Sequence, residues 1–193
     1  ILHASTQGAS FDQIKGIVIN ANGVSSKYIS RQPIMNLDSV PFPTFEEFFL
    51  DSYQNQSLPL LTSRGCIGKC TFCNDHEMSS PYRYRSAWHI LEEMQSHVLN
   101  YGTTDFSFKD LLCNGNSKEL ARLCDAIIDS GLAIHWDSQA IPKKDLTYDL
   151  LLKMKKAGCE SLIYGVESCS NKILRKMGKI FTKEDVANVL KDT

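Results

Sequence analysis

The 193-residue sequence lacks any run of eighteen apolar residues, which excludes a membrane-spanning helix of ordinary length. It has no excess of either charge. Lys and Arg number 21 against 22 Asp and Glu, so no basic field is available to recruit a nucleic-acid backbone. No targeting pattern opens the chain, and its seven cysteines are an odd number; both speak against an oxidised disulfide framework and for a reducing, cytoplasmic setting. Several catalytic signatures are missing. Gly65-Cys66-Ile67-Gly68-Lys69 lacks P-loop spacing, no GxGxxG follows a strand-like run, and Glu167 stands where a GxSxG nucleophile would.

What is present begins at an apolar run, Leu58 to Ser63, that ends at Gly65 and is followed by Cys66, Cys70 and Cys73 in CxxxCxxC spacing. Thiolates this close on a short loop can converge on one soft metal centre. A closed structural zinc site wants four protein ligands, and so does an electron-transfer 4Fe–4S cluster; a centre held by three keeps an open position for chemistry. His76, three residues past Cys73, keeps a Cys3His zinc site as the rival reading, a binding module without catalysis.

This loop, with Phe72 just before the third cysteine, resembles the radical S-adenosylmethionine (radical SAM) superfamily. The resemblance implies that Cys66, Cys70 and Cys73 hold three irons of a 4Fe–4S cluster. The fourth iron would be left to the amino and carboxylate groups of S-adenosylmethionine. Reductive cleavage to a 5′-deoxyadenosyl radical would follow, then hydrogen abstraction or methyl transfer on a small-molecule or peptide substrate. The electron would come from a carrier such as flavodoxin or ferredoxin. A methylthiotransferase acting on RNA is a third option, disfavoured by the near-neutral charge.

From residue 57 onward, strand-like and helix-like stretches alternate. Strands are expected at Leu58–Ser63, Asp105–Asp110, Ala133–Gln139 and Ser161–Glu167. Helices are expected over Ser86–Asn100, after Asn116, after Thr147, around Ile173–Met177 and after Thr182, with Ser, Asn and Thr as N-caps and Gly102, Gly131, Gly158 and Gly178 as stops. This alternation predicts an α/β fold with a parallel sheet and right-handed crossovers. Radical SAM cores resemble a partial TIM-like barrel of six such units, of which about four are expected here, over residues 54–193.

Residues 1–53 read as a hairpin and linker. Gly16–Asn20 and Val24–Ile29 flank Asn22-Gly23, a type I′ turn signal. Thr44–Leu50 has the capping pattern of a short helix. The hairpin and its Ile34-x-x-Leu37-Asp38-x-x-Pro41-x-Pro43 continuation resemble the junction after a cobalamin-binding domain, which implies a cobalamin-linked subfamily. No DxHxxG cobalamin signature occurs. With Ile1 in place of an initiator Met, the expectation is a chain that starts partway through a longer protein, with a truncated barrel edge able to self-associate.

Ligands of parallel α/β folds gather at the carboxyl ends of strands. Those ends are the cysteine loop, Lys109-Asp110, Asp137-Ser138-Gln139 and Glu167-Ser168. The family's Gly-Gly-Glu after strand two is missing; Asp110 stands at about that place and would take over contact with the methionyl ammonium. Gly165-Val166-Glu167-Ser168 looks like the strand-four motif of the cobalamin-linked enzymes, which implies that Glu167 touches the cofactor's ribose or amino group. Phe72 would shield the cluster. Gln139 and Ser168 complete the expected cofactor-binding set, with helix capping the plainer reading of Ser168 and Ser170.

Overall fold

The computed structural model describes residues 6, 11, 14–21, 23–53, 57–75 and 79–193. The chain divides into two compact units, Ile1–Ile34 and Met35–Thr193. In the first, β1 (Asn20–Ala21) pairs antiparallel with β2 (Val24–Ser25), Asn20 opposite Ser25. Gly23 has φ +80°, as the expected turn requires, while Asn22 lies outside the described residues. The strands are shorter than the sequence suggests. Beyond them Ser26 N–H donates to the Ile19 carbonyl, Ile19 N–H to the Ser26 hydroxyl, and Gly16 N–H to the Ile29 carbonyl.

The second unit carries a parallel sheet in the order β3 (Leu58–Leu60), β6 (Asp105–Phe108), β7 (His135–Ala140), β8 (Cys159–Tyr164). Strand order follows chain order, so each crossover helix moves the chain one strand along. These helices are α1 (Ala87–Tyr101), α2 (Ser117–Ser130) and α3 (Tyr148–Lys156); α4 (Asn171–Lys176) and α5 (Lys183–Asp192) follow the last strand. The result is the expected run of four βα units, with β3 and β8 as sheet edges. The caps stand where the side chains dictate. Ser86, Asn116, Thr147 and Thr182 each accept a backbone N–H from the first turn, and Thr182 and Asp185 cap each other reciprocally.

The core lies between sheet and helices, where Ile90, Met94, Leu120, Leu123 and Met154 meet Phe106, Phe108 and Trp136. Trp136 stacks on Phe108 at 4.6 Å, and its indole N–H donates to the Ala157 carbonyl at 2.8 Å, so its polar atom is satisfied in the dry interior.

Three expected elements differ. The first strand stops at Leu60, and Ser63–Arg64 turns away as β4 to pair antiparallel with β5 (Arg83–Tyr84). The Asp110 carboxylate causes the break by taking the Thr62 and Ser63 N–H groups, at 2.9 and 2.8 Å. The Thr44–Leu50 helix is a turn followed by a 3-10 turn at Leu50–Ser52. Here the Phe45 N–H donates to the Tyr101 hydroxyl, and its ring packs edge-on against Tyr101 and His97; docking onto α1 outweighs a weak local propensity. The last strand ends at Tyr164, and consecutive tight turns carry the chain through Val166 and Ser168.

The linker joins this unit through α1. Asp38 accepts the Ser86 N–H at 2.9 Å and lies 3.5 Å from His89, against which the Phe42 ring packs at a tilt. Behind it, Arg85 pairs with the buried Glu93 and donates to the Leu61 carbonyl. The Arg85 guanidinium therefore pairs with a carboxylate of the protein itself.

Candidate metal centre and its cleft

The cysteine loop is held at both ends. β4 and β5 clamp its base, and Gly65, at φ +92°, lies where its two limbs cross: a methyl there would meet the Ser79 carbonyl at 2.6 Å. On that base, Asp110 is a buried support whose oxygens serve Thr62 and Ser63 through two N–H donors and the Thr62 hydroxyl. Burial pushes its carboxyl up to about 6, outweighing those three bonds. Its pKa is higher folded than unfolded, so it favours folding below about pH 4, and that contribution is lost as pH rises through about 6. Asp110→Asn is expected to reduce the difference in unfolding free energy between pH 4.5 and 7 by about 2 kcal/mol, read from urea midpoints. An unchanged difference would assign the pH dependence elsewhere.

Beyond Gly65, Cys66, Cys70 and Cys73 line one side of a cleft of about 200 Å³. All three are partly exposed thiols. Gly68 stands between two of them: its N–H reaches Cys66 Sγ at 3.3 Å, and a methyl there would lie 3.5 Å from Cys66 Sγ and 3.8 Å from Cys70 Sγ. Burial raises the Cys66 thiol, the Gly68 amide lowers it, Cys70 and Cys73 raise it again, and the charge of Lys179 lowers it. Thiols that disfavour one another's ionisation are stabilised by a cationic metal between them. Three thiolates on one loop suit a cube of irons, which spreads its ligands wider than a single tetrahedral ion does. His76 lies outside the described residues. The donor set fits an iron–sulfur centre.

The far side of the cleft comes from the last two strands. Gln139 at the end of β7 and Gly165 and Glu167 after β8 line it, with Ile141, Ile163 and Phe181 as apolar wall. Among the described residues Glu167 is the one non-glycine held at positive φ, +64°, a backbone state that costs a side chain about 1–2 kcal/mol. Strain kept at a cleft is a reason to suspect function. Phe72 lies on the lip, 55 % exposed.

Lys179 was not among the expected residues, yet it ties the two sides together. Its ammonium donates to the Gly165 carbonyl at 2.8 Å, lies 3.3 Å from Glu167 Oε1, and sits 5.3 Å from the Phe72 ring and 5.6 Å from that of Phe181. Just before it, the Met177 carbonyl accepts the Thr71 N–H at 3.0 Å. Gly178, at φ +71°, lets the turn press on Lys69, whose carbonyl would lie 2.6 Å from an added methyl. The Met-Gly-Lys turn after α4 thus closes onto the cysteine loop. A cationic residue beside a positive-φ glycine was the only sequence sign of it.

The remaining expected residues separate. Cys66, Cys70, Cys73, Phe72, Gln139 and Glu167 share the cleft. Asp110 lines a neighbouring one. The Ser168 hydroxyl accepts the Ser170 N–H at 3.2 Å, a local turn ahead of α4, while Ser170 occupies the N-cap position without a side-chain cap bond.

The family model described as "Radical SAM superfamily" matches residues 60–192. The chain belongs to the radical SAM superfamily. Over 195 aligned residues it is 27% identical to an uncharacterized methyltransferase, PH0819, of Pyrococcus horikoshii, covering 99% of this chain and 42% of that protein. In fold it resembles the radical S-adenosylmethionine methyltransferase TsrM of Kitasatospora setae, solved with cobalamin and a [4Fe-4S] cluster, with TM-score 0.79, 16% identity and coverage of 98% of this chain and 41% of that one. It also resembles the cobalamin-dependent S-adenosylmethionine radical enzyme OxsB, with TM-score 0.73, 23% identity and coverage of 95% and 28%. The chain therefore spans less than half the length of these proteins. The radical SAM match takes in the cysteine loop, the β6–β8 strand ends and the Met-Gly-Lys turn.

Proposed function

We propose that this chain forms the cluster-binding part of a cobalamin-linked radical SAM methyltransferase acting on a small-molecule or peptide substrate. The observation that carries the reading is one cleft in which three thiols from the first βα unit face the polar ends of β7 and β8. Cys66, Cys70 and Cys73 would hold a 4Fe–4S cluster, which when bound supplies the electron that breaks a carbon–sulfur bond of S-adenosylmethionine to give methionine and a 5′-deoxyadenosyl radical. Three protein ligands leave one iron for that substrate.

The protein's own share is positioning and exclusion of water. Glu167 offers a carboxylate to the cofactor's ribose or ammonium, and Lys179 fixes that carboxylate from the other side. Gln139 is placed to donate or accept across the cleft. Ile163, Phe181 and Phe72 form the wall that dries the site. An electron carrier such as a flavodoxin or ferredoxin would reach the exposed lip at Phe72. The methyltransferase names of the relatives and the cobalamin in the two similar structures support methyl transfer through a corrinoid.

The test is anaerobic reconstitution of the full-length protein. Four iron and four sulfide per chain are expected, as a 4Fe–4S centre requires, with formation of 5′-deoxyadenosine or S-adenosylhomocysteine under reduction. Zinc in place of iron, or an iron-loaded protein that leaves S-adenosylmethionine intact, would overturn the reading. Glu167→Gly should separate site from scaffold. Relief of the positive φ is expected to raise unfolding stability by about 1 kcal/mol, while S-adenosylmethionine binding weakens about tenfold or more through loss of a charge-assisted contact.

A further inference from the structure

Asn114 lies in the 3-10 turn Cys113–Gly115 that follows β6, fully shielded from solvent, and its side chain is used twice. The carboxamide oxygen accepts the Ile141 N–H at 2.9 Å, and the carboxamide N–H donates to the Ile141 carbonyl at 2.7 Å. This two-point pair replaces a strand. β7 pairs with β6 only as far as Ser138 opposite Phe108, whereas on its other side pairing with β8 runs on to Ala140 opposite Tyr164. Past Ser138 the Asn114 amide supplies, on the β6 side, the partner that the shorter strand no longer offers. The turn carrying it is pinned from above the chain's own loop: a side chain at Gly115 would collide with the Tyr82 ring, from the return limb of the cysteine loop.

The residue held in this way belongs to the cluster cleft. Ile141 lines it beside Gln139 and Ala140, and it packs on the small core that Leu174 of α4 and Val186 of α5 form with Phe181. Ile141, Ile163 and Phe181 give one apolar wall to a cleft whose charged groups are Glu167 and Lys179. Those charges suit the methionyl end of S-adenosylmethionine, and the apolar wall suits the flat face of its adenine.

We propose that Asn114 is a positioning residue for S-adenosylmethionine: it fixes the Ile141 backbone so that the Ile141 side chain forms the apolar surface on which the nucleoside packs. The inference rests on the function proposed above. Asn114 acts through Ile141 and touches no ligand itself. Without its amide the Ile141 N–H loses its acceptor and the carbonyl keeps only the Lys143 N–H, so the segment is free to shift.

The experiment uses the full-length protein, loaded anaerobically with iron and sulfide, and measures binding of S-adenosylmethionine and of free methionine by calorimetry. Methionine carries the amino and carboxylate groups but no nucleoside. Asn114→Ala is expected to weaken S-adenosylmethionine about tenfold. Methionine affinity should stay within about twofold, and iron at the wild-type value. Ile141→Ala should show the same selective loss. The double variant should be no worse than Asn114→Ala alone, because residues that act through one another are not additive. Unaltered S-adenosylmethionine affinity in either single variant overturns the proposal, and so does equal weakening of both ligands or a double variant whose losses multiply. An Asn114→Ala protein that no longer melts cooperatively assigns Asn114 to the scaffold and overturns it too. Wild-type protein that binds no S-adenosylmethionine would remove the proposed function as well, whereas failure in the variants alone leaves that function standing.

Discussion

Cys66→Ala, Cys70→Ala and Cys73→Ala are each expected to abolish S-adenosylmethionine cleavage and to drop iron well below the four per chain of a 4Fe–4S centre. The three thiols line a single cleft and no other described cysteine joins them there. Removing one leaves a second iron without a protein ligand, and such an iron is exposed to water and readily lost. The loss should be most complete for Cys66 and Cys70, because Cys73 has the Asp75 carboxylate 3.7 Å from its sulfur as a substitute donor. Cys169→Ser is the control. Cys169 is exposed and lies off the cleft, so its substitution should leave iron and cleavage within about twofold, as surface substitutions usually stay within about 0.5 kcal/mol. Full iron in any of the three Ala variants would remove that cysteine from the centre.

Gly178→Ala is expected to cripple the same centre from a residue that is no ligand. An alanine at φ +71° costs about 1–2 kcal/mol, and its methyl would fall 2.6 Å from the Lys69 carbonyl. The turn must then lift off the cysteine loop, which strains or breaks the Thr71 N–H bond to Met177 and moves Lys179 away from Glu167 and Phe72. A melting temperature lower by about 2–8 °C is expected for that cost. Iron loading should fall severalfold and cleavage about tenfold or more, because positioning errors of about 1 Å cost about a hundredfold in well-oriented reactions. Gly131→Ala tests the cause. Gly131 also has positive φ, +66°, but nothing lies within 4 Å of its added methyl, so it should lose stability and keep its iron. Equal iron in both variants would show that the turn does not hold the loop.

Periodicity and caps made the four βα units legible, because α1, α2, α3 and α5 each begin at a Ser, Asn or Thr whose oxygen takes a first-turn N–H, a purely local interaction. The three cysteines were legible for the same reason, since their spacing is short. What the sequence hides is long-range. Asp110 is polar at a strand end, which reads as a ligand contact, and only the fold reveals that it breaks the first strand by bonding Thr62 and Ser63. Lys179 reads as one of many exposed lysines until the turn after α4 brings it against Phe72 and Glu167. Thr44–Leu50 satisfied a helix pattern, but Phe45 gained more by docking on Tyr101.

The bond between Thr71 and Met177 also sets an order of events during synthesis. The ribosome releases the three thiols early, while the turn that seats their loop emerges only after the fourth strand. A nascent chain therefore offers bare, unseated sulfur to any passing zinc or oxidant, and iron delivered at that stage meets a loop without its clamp. Loading machinery that waits for the emerged α4–α5 turn would fill the right metal into a finished cradle.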